Sequence, residues 1–224
     1  MNKKISLAAG TALLTLTVLL TIVYAALSGV FVSAEKTPPC DIEDSYAYEA
    51  IKKVCELGLM NTYTIEENVY FYPEMEVTRG EVARVIVTYL GINPAKYEKT
   101  EIGFADEAEI DTSLRPYIRA ALANGLMKLQ SGYVFHPDDF ITREETADIF
   151  GALCTAAISA GKSENFSDFD TISTYFEPNA KKLVDFEIMI GYTDGTFRPK
   201  QILTREELAL ILYRLLSAEN FRKG

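Results

Sequence analysis

An arginine follows a threonine and precedes a glutamate by two residues three times: Thr78-Arg79-Gly80-Glu81, Thr142-Arg143-Glu144-Glu145 and Thr204-Arg205-Glu206-Glu207, at steps of 64 and 62 residues. Threonine and glutamate at this spacing, before an apolar run, form a capping box. The hydroxyl accepts from the N–H of the third helical residue, and the carboxylate reaches back to the threonine N–H. Thr78, Thr142, Thr204, Glu81, Glu145 and Glu207 are thereby assigned as structural caps. The arginine is a different matter. It falls on the first helical residue, where the macrodipole disfavours a cation by roughly 0.3–1 kcal/mol. A guanidinium beside free helix N–H groups makes a small anion site for a carboxylate or phosphate. Arg79, Arg143 and Arg205 are therefore candidate ligand-binding residues. The alternative is that each pairs with an acid of a neighbouring repeat.

The surrounding elements repeat as well. Each tetrapeptide follows an aromatic-x-Pro step: Phe71-Tyr72-Pro73, Phe135-His136-Pro137 and Phe197-Arg198-Pro199. A first helix is predicted near 46–57, 114–124 and 175–186. Pro116 and Pro178 stand near its start, where a missing N–H does no harm. Gly58 and Gly125 mark its end; in the third copy Glu187 stands there instead. A turn comes next, clearest as Asp194-Gly195. The first copy has three extra residues at this turn and no glycine. The second helix then starts at the capping box, with Ala83, Ala147 and Ala209 aligned on it as close-contact positions. Two short helices cannot bury such an apolar face alone, whereas stacked units can. The expected fold is all-α, mostly helical with short loops, in three tandem helix-loop-helix repeats over 35–91, 92–154 and 155–224.

Residues 1–34 are set apart. Lys3 and Lys4 precede an uncharged apolar stretch from Ile5 to Val32, and Val32-Ser33-Ala34 resembles a cleavage site. This is the pattern of a secretory signal peptide. The stretch also exceeds the roughly 20 residues that span a bilayer, so an uncleaved membrane anchor is the second reading. Without Lys3 and Lys4 the chain keeps 20 basic against 32 acidic side chains, a net charge of −12. Such a surface excludes nucleic acid as a partner. The cysteines Cys40, Cys55 and Cys154 are too few for a disulfide framework. Cys55 and Cys154 align with apolar positions of the other copies, and Cys40 has no counterpart. No metal-ligand spacing, phosphate loop or nucleophile–base pair is present, so no cofactor, metal or catalytic residue is assigned. Glu144 and Glu145, adjacent on a helix, point in different directions and cannot act as a carboxylate pair. His136 is expected to be an exposed loop residue.

The order Phe-x-Asp, helix, Gly-Leu-Met, Gly-Tyr-x-Asp-Gly-x-Phe-x-Pro, then Thr-Arg-x-Glu-x-Ala resembles the S-layer homology domain. The match runs over about residues 40–216 and is best from Gly191 to Ala209. The resemblance implies a pseudo-threefold arrangement with the second helices near the axis. It also implies non-covalent binding of the secondary polymer of the bacterial cell wall, often bearing ketal-linked pyruvate. In that family the tetrapeptide arginine takes part in the binding groove, with residues of the adjacent repeat. By position this points to Arg79, Arg143 and Arg205, with Asp106 and Asp168 as secondary ligand candidates and helix-lead capping as their alternative role. The first copy departs from the family pattern at its turn, so Arg79 is expected to matter least. The expected protein is exported, sits at the cell wall and contacts cell-wall polysaccharide. It touches the membrane only if residues 1–34 are retained, in which case it tethers membrane to wall.

Overall fold

The computed structural model describes residues 37–156 and 161–218. The segment read as signal peptide or anchor lies outside the described residues. Among the described residues no helix is long and apolar enough to cross a membrane.

Among the described residues six α-helices follow one another: α1 Tyr48–Glu56, α2 Arg79–Tyr89, α3 Arg115–Ala123, α4 Arg143–Gly151, α5 Glu177–Asp185 and α6 Arg205–Ser217. The two helices of each repeat are thus α1–α2, α3–α4 and α5–α6. A short hairpin, β1 Tyr63–Ile65 paired with β2 Asn68–Tyr70, stands in the first repeat. The predicted helix-loop-helix order holds in all three units. The hairpin is an addition built from the three extra residues of the first turn. Lacking glycine, it turns with Glu66 at φ 57°.

The second helices begin where the capping boxes place them. Thr78, Thr142 and Thr204 are the N-caps, and each hydroxyl accepts from the N–H of Glu81, Glu145 or Glu207. The box is complete at Thr142 and Thr204, where the glutamate also accepts from the threonine N–H. The first helices end in the left-handed conformation at Gly58, Gly125 and Glu187, with φ of 67°, 65° and 58°. Glu187 adopts the glycine conformation at a steric cost of roughly 1–2 kcal/mol.

Packing links each unit to the next. α3 lies against α2 and α5 against α4, while α1 lies against α6. The last of these pairings joins the two ends of the described chain. The contact of α4 with α5 is close: a Cβ on Gly151 would stand 2.3 Å from the Asn179 carbonyl oxygen. The core is continuous across the units. Phe71, Phe135 and Phe197 are fully buried, as are Ala83, Ala147 and Ala209. Cys154 is buried, Cys55 half-buried against the core and Cys40 exposed.

Candidate functional site

The helix N-termini are not free. The N–H groups of Arg79 and Gly80 donate to Asp139 and Pro137; those of Arg143 and Glu144 to Gln201 and Pro199; those of Arg205 and Glu206 to Met75 and Pro73. Each helix start is therefore sealed by two carbonyls of another unit. The expected anion site on open helix N–H groups is not formed, because neighbouring backbone already satisfies them.

The arginine side chains repeat the same pattern. Arg79 donates from Nε to the Phe135 carbonyl at 3.0 Å and from Nη2 to Lys128 at 3.1 Å. Arg143 donates to Phe197 at 2.9 Å and Ile190 at 3.0 Å. Arg205 donates to Phe71 at 2.8 Å and Asn61 at 2.6 Å. The Nη1 groups face the capping glutamates: Arg79 lies 3.8 Å from Glu145, Arg143 lies 3.3 Å from Glu207, and Arg205 is bonded to Glu81. Unit one thus reaches unit two, two reaches three, and three reaches one. All three arginines are buried, and burial holds Arg79 and Arg205 below the usual guanidinium range. The neighbouring-acid alternative is realised in the geometry, joined by backbone carbonyls that no side-chain pattern announces. The turn that departs from the family pattern in the first unit receives Arg205, not Arg79.

The aspartates grip backbone. Asp106 accepts from the N–H groups of Phe135 and His136 at 2.8 and 2.7 Å. Asp168 does the same for Phe197 and Arg198 at 2.6 and 2.8 Å. Asp41 matches them with Phe71 and Tyr72. The second residue in each pair has positive φ: Tyr72 57°, His136 51°, Arg198 56°. Each carboxylate thus holds a strained step in place. Asp106 feels burial, which would raise its pKa. The N–H groups of Phe135 and His136 outweigh this and hold it below the usual carboxylate range. These contacts hold the loop before the second helix rather than the start of the first, and they occupy both oxygens of Asp106 and Asp168. His136 is exposed, as expected.

Two cavities open beside the arginines. The first, about 520 Å³, has Arg79 and Glu145 in its lining. Its walls come from Gly125–Gln130, from Asp148 and Ile149 on α4 and Ala152 just after it, and from Tyr175 and Asn179 of the third unit. Lys128 Nζ lies 4.6 Å from the Tyr175 ring centroid, and Asn179 donates to Asp148 at 2.7 Å. The second, about 350 Å³, has Arg143 and Glu207 in its lining. Its walls come from Met189–Thr193, from Leu210, Ile211 and Arg214 on α6, and from Tyr46 of the first unit. Tyr192 donates to Glu207 at 2.5 Å and stacks 4.8 Å from the Arg143 guanidinium. Burial, followed by that bond to Glu207, pushes the Tyr192 phenol up to about 12. Each cavity is built from all three units, so only the assembled repeats form it.

Sequence reasoning did not single out Tyr46, Tyr175, Tyr192, Lys128 or Arg214. A signal existed for the first two: both tyrosines stand two residues before their first helix, where the second unit has Ser113. Glu144 and Glu145 diverge as expected. Glu144 accepts from Ser173 and Lys200, and Glu145 from its cap Thr142.

Interlocked helical repeats with inter-unit cavities define this as a module built from tandem repeats. The S-layer homology domain profile matches residues 41–83, 103–147 and 165–209, more than half of the chain, and the protein belongs to that family. It is similar to a Cellulosome-anchoring protein of Acetivibrio thermocellus, 37% identical over 40% of this chain and 21% of the relative. It is also similar to Exoglucanase XynX of the same organism, 29% identical over 80% of this chain and 16% of the relative. The Surface-layer 125 kDa protein of Lysinibacillus sphaericus is 23% identical over 75% of this chain and 14% of the relative. The chain spans about a fifth or less of the length of these relatives.

Proposed function

We propose that the chain is a non-catalytic anchoring module that holds an exported protein to the bacterial cell wall by binding its secondary polymer. The three units stand around an approximate threefold axis, and polymer residues bind in the cavities beside Arg79 and Arg143. The observation that carries this reading is the pair of cavities, each lined by a buried arginine, the partly exposed glutamate beside it and an exposed tyrosine. A tyrosine offers a flat apolar face with a polar tip, suited to a sugar ring. The tetrapeptide arginines shape the floor, and three of the five donors of Arg143 are occupied within the protein. Ketal-linked pyruvate on the polymer would supply a carboxylate, the group that a guanidinium lining such a cavity favours. Asp106 and Asp168 support the site by fixing the loops below it. Family membership and the names of the anchoring and surface-layer relatives support the same reading; the enzyme relative is matched over only 16% of its length.

The test is co-sedimentation with purified cell walls before and after hydrofluoric acid strips the secondary polymer. The protein should pellet with intact walls and stay in solution with stripped ones. Equal pelleting with both would refute polymer recognition. Release of reducing sugar from the walls, abolished by Glu145→Gln, would refute the non-catalytic assignment.

A further inference from the structure

The two cavities differ in charge. That beside Arg79 carries Arg79 and Lys128 against Glu145 and Asp148, and so balances. That beside Arg143 carries Arg143 and Arg214 against Glu207 alone, and keeps one positive charge. Arg143 is 4% exposed and ion-paired to Glu207, so its charge is already answered within the protein. Arg214 is the surplus. It is half-buried, its Nη1 donates to the Ile188 carbonyl at 3.1 Å, and among the described residues it forms no ion pair. Its neighbour Glu187 is engaged by Lys162 at 2.7 Å. The repeat spacing puts Ala152 and Thr88 at the same helical step in the other units. The helix therefore does not require an arginine there.

We propose that Arg214 is the specificity-determining cation of this module: it takes the carboxylate of the wall polymer in the cavity beside Arg143, with the Tyr46 and Tyr192 phenols lining that cavity. The cavity beside Arg79, balanced by its own acids, takes a neutral stretch of the same polymer. A partly buried guanidinium with unused donors binds a carboxylate through charge-assisted hydrogen bonds. It does so here against a strongly acidic mean field, so the recognition must be local. Tyr46 lines the same cavity, and its phenol can donate a hydrogen bond to a bound carboxylate. This inference rests on the wall-polymer reading given above.

The experiment titrates the full-length protein with pyruvylated wall polymer and with the same polymer after mild acid removes the ketal. The wild type should prefer the pyruvylated form by roughly tenfold or more, the effect of a charge-assisted hydrogen bond. Arg214→Gln should erase most of that preference, lowering affinity for the pyruvylated polymer far more than for the depyruvylated one. Lys128→Gln should retain it. An undiminished preference in Arg214→Gln, or its loss in Lys128→Gln instead, would overturn the assignment and leave wall binding standing. Equal wild-type affinity for the two polymers would also overturn it. Failure of the wild type to bind either polymer would instead refute the wall-polymer reading and this inference with it.

Discussion

Arg79 and Arg205 occupy the same step of the same tetrapeptide, yet the molecule treats them differently. Arg79 lines a cavity and stands 3.8 Å from a glutamate that is itself a quarter exposed. Arg205 is completely buried, bonded to Glu81 and covered by the Tyr63 and Phe71 rings. Beside it Arg84 donates to Asn61 at 2.5 Å, linking α2 to the loop that also accepts from Arg205. In the other units Asp148 and Leu210 occupy the Arg84 step. The role of the arginine is therefore decided by the turn it enters in the next unit. The atypical turn of the first unit converts the third arginine into an internal tie.

The largest effect that can break this contrast is on stability. The dipole argument predicts that each arginine can be removed without loss, but the contacts contradict it. Arg205→Ala leaves Glu81 and two carbonyls without their partner in a dry site. A broken buried pair costs about 3–5 kcal/mol. Arg79→Ala leaves a longer, wetter ion pair unmade and should cost about 1–2 kcal/mol, the scale of one or two hydrogen bonds. Arg143→Ala should fall between. Urea melts of the three variants would rank them, and equal losses would show that the distinction between sealed and open sites carries no energetic weight.

The aspartates provide the opposite expectation, since their geometry does not vary among units. Asp41→Ala, Asp106→Ala and Asp168→Ala should each cost about 1.5–3 kcal/mol, the scale of hydrogen bonds to a charged acceptor. A spread wider than the arginine series would break the idea that this bracket is common to all units. The bracket also sets a pH response. Asp106 has a folded pKa below its unfolded value of about 3.9. Its contribution is thus complete above that pH and is lost as pH falls through the folded value. Asp106→Asn should flatten the acid limb of stability below about pH 4 relative to wild type.

Much of the fold was legible because its signals are side-chain signals. The capping boxes placed the starts of α2, α4 and α6 at the observed residues. The aligned alanines lay at fully buried contacts, and the helix-ending glycine step held even where Glu187 replaces glycine. The arginine environment was less legible because its acceptors are carbonyls, which every residue carries. Sequence could mark Arg79, Arg143 and Arg205 as anomalous for a helix start, but not say which loop each would enter. Lys128 and Arg214 were hidden for a related reason. They lie at steps where the copies disagree, and repeat comparison favours agreement.

The smallest effect lies in the caps. At Thr142 the hydroxyl accepts from the Glu145 N–H and also donates to its carboxylate at 2.8 Å. At Thr78 the hydroxyl accepts from the Glu81 N–H at 3.2 Å, while the Glu81 carboxylate is engaged by Arg205. In the third unit the capping glutamate closes its box and pairs with Arg143, whereas in the first it pairs with Arg205 and leaves the box open. Losing an N-cap costs about 0.5–2 kcal/mol. Thr142→Ala removes two interactions and should cost about 1–2 kcal/mol, whereas Thr78→Ala should cost about 0.5 kcal/mol. Combining Thr78→Ala with Arg205→Ala sharpens the point. With Arg205 gone, Glu81 is free to swing back to the Thr78 N–H, as Glu145 does at Thr142. The double variant would then lose the cap hydroxyl at a moment when the box could close, and the two changes should be non-additive. Strict additivity in a thermal-melt cycle would mean that Glu81 stays where Arg205 held it, and that the incomplete box of the first unit has another cause.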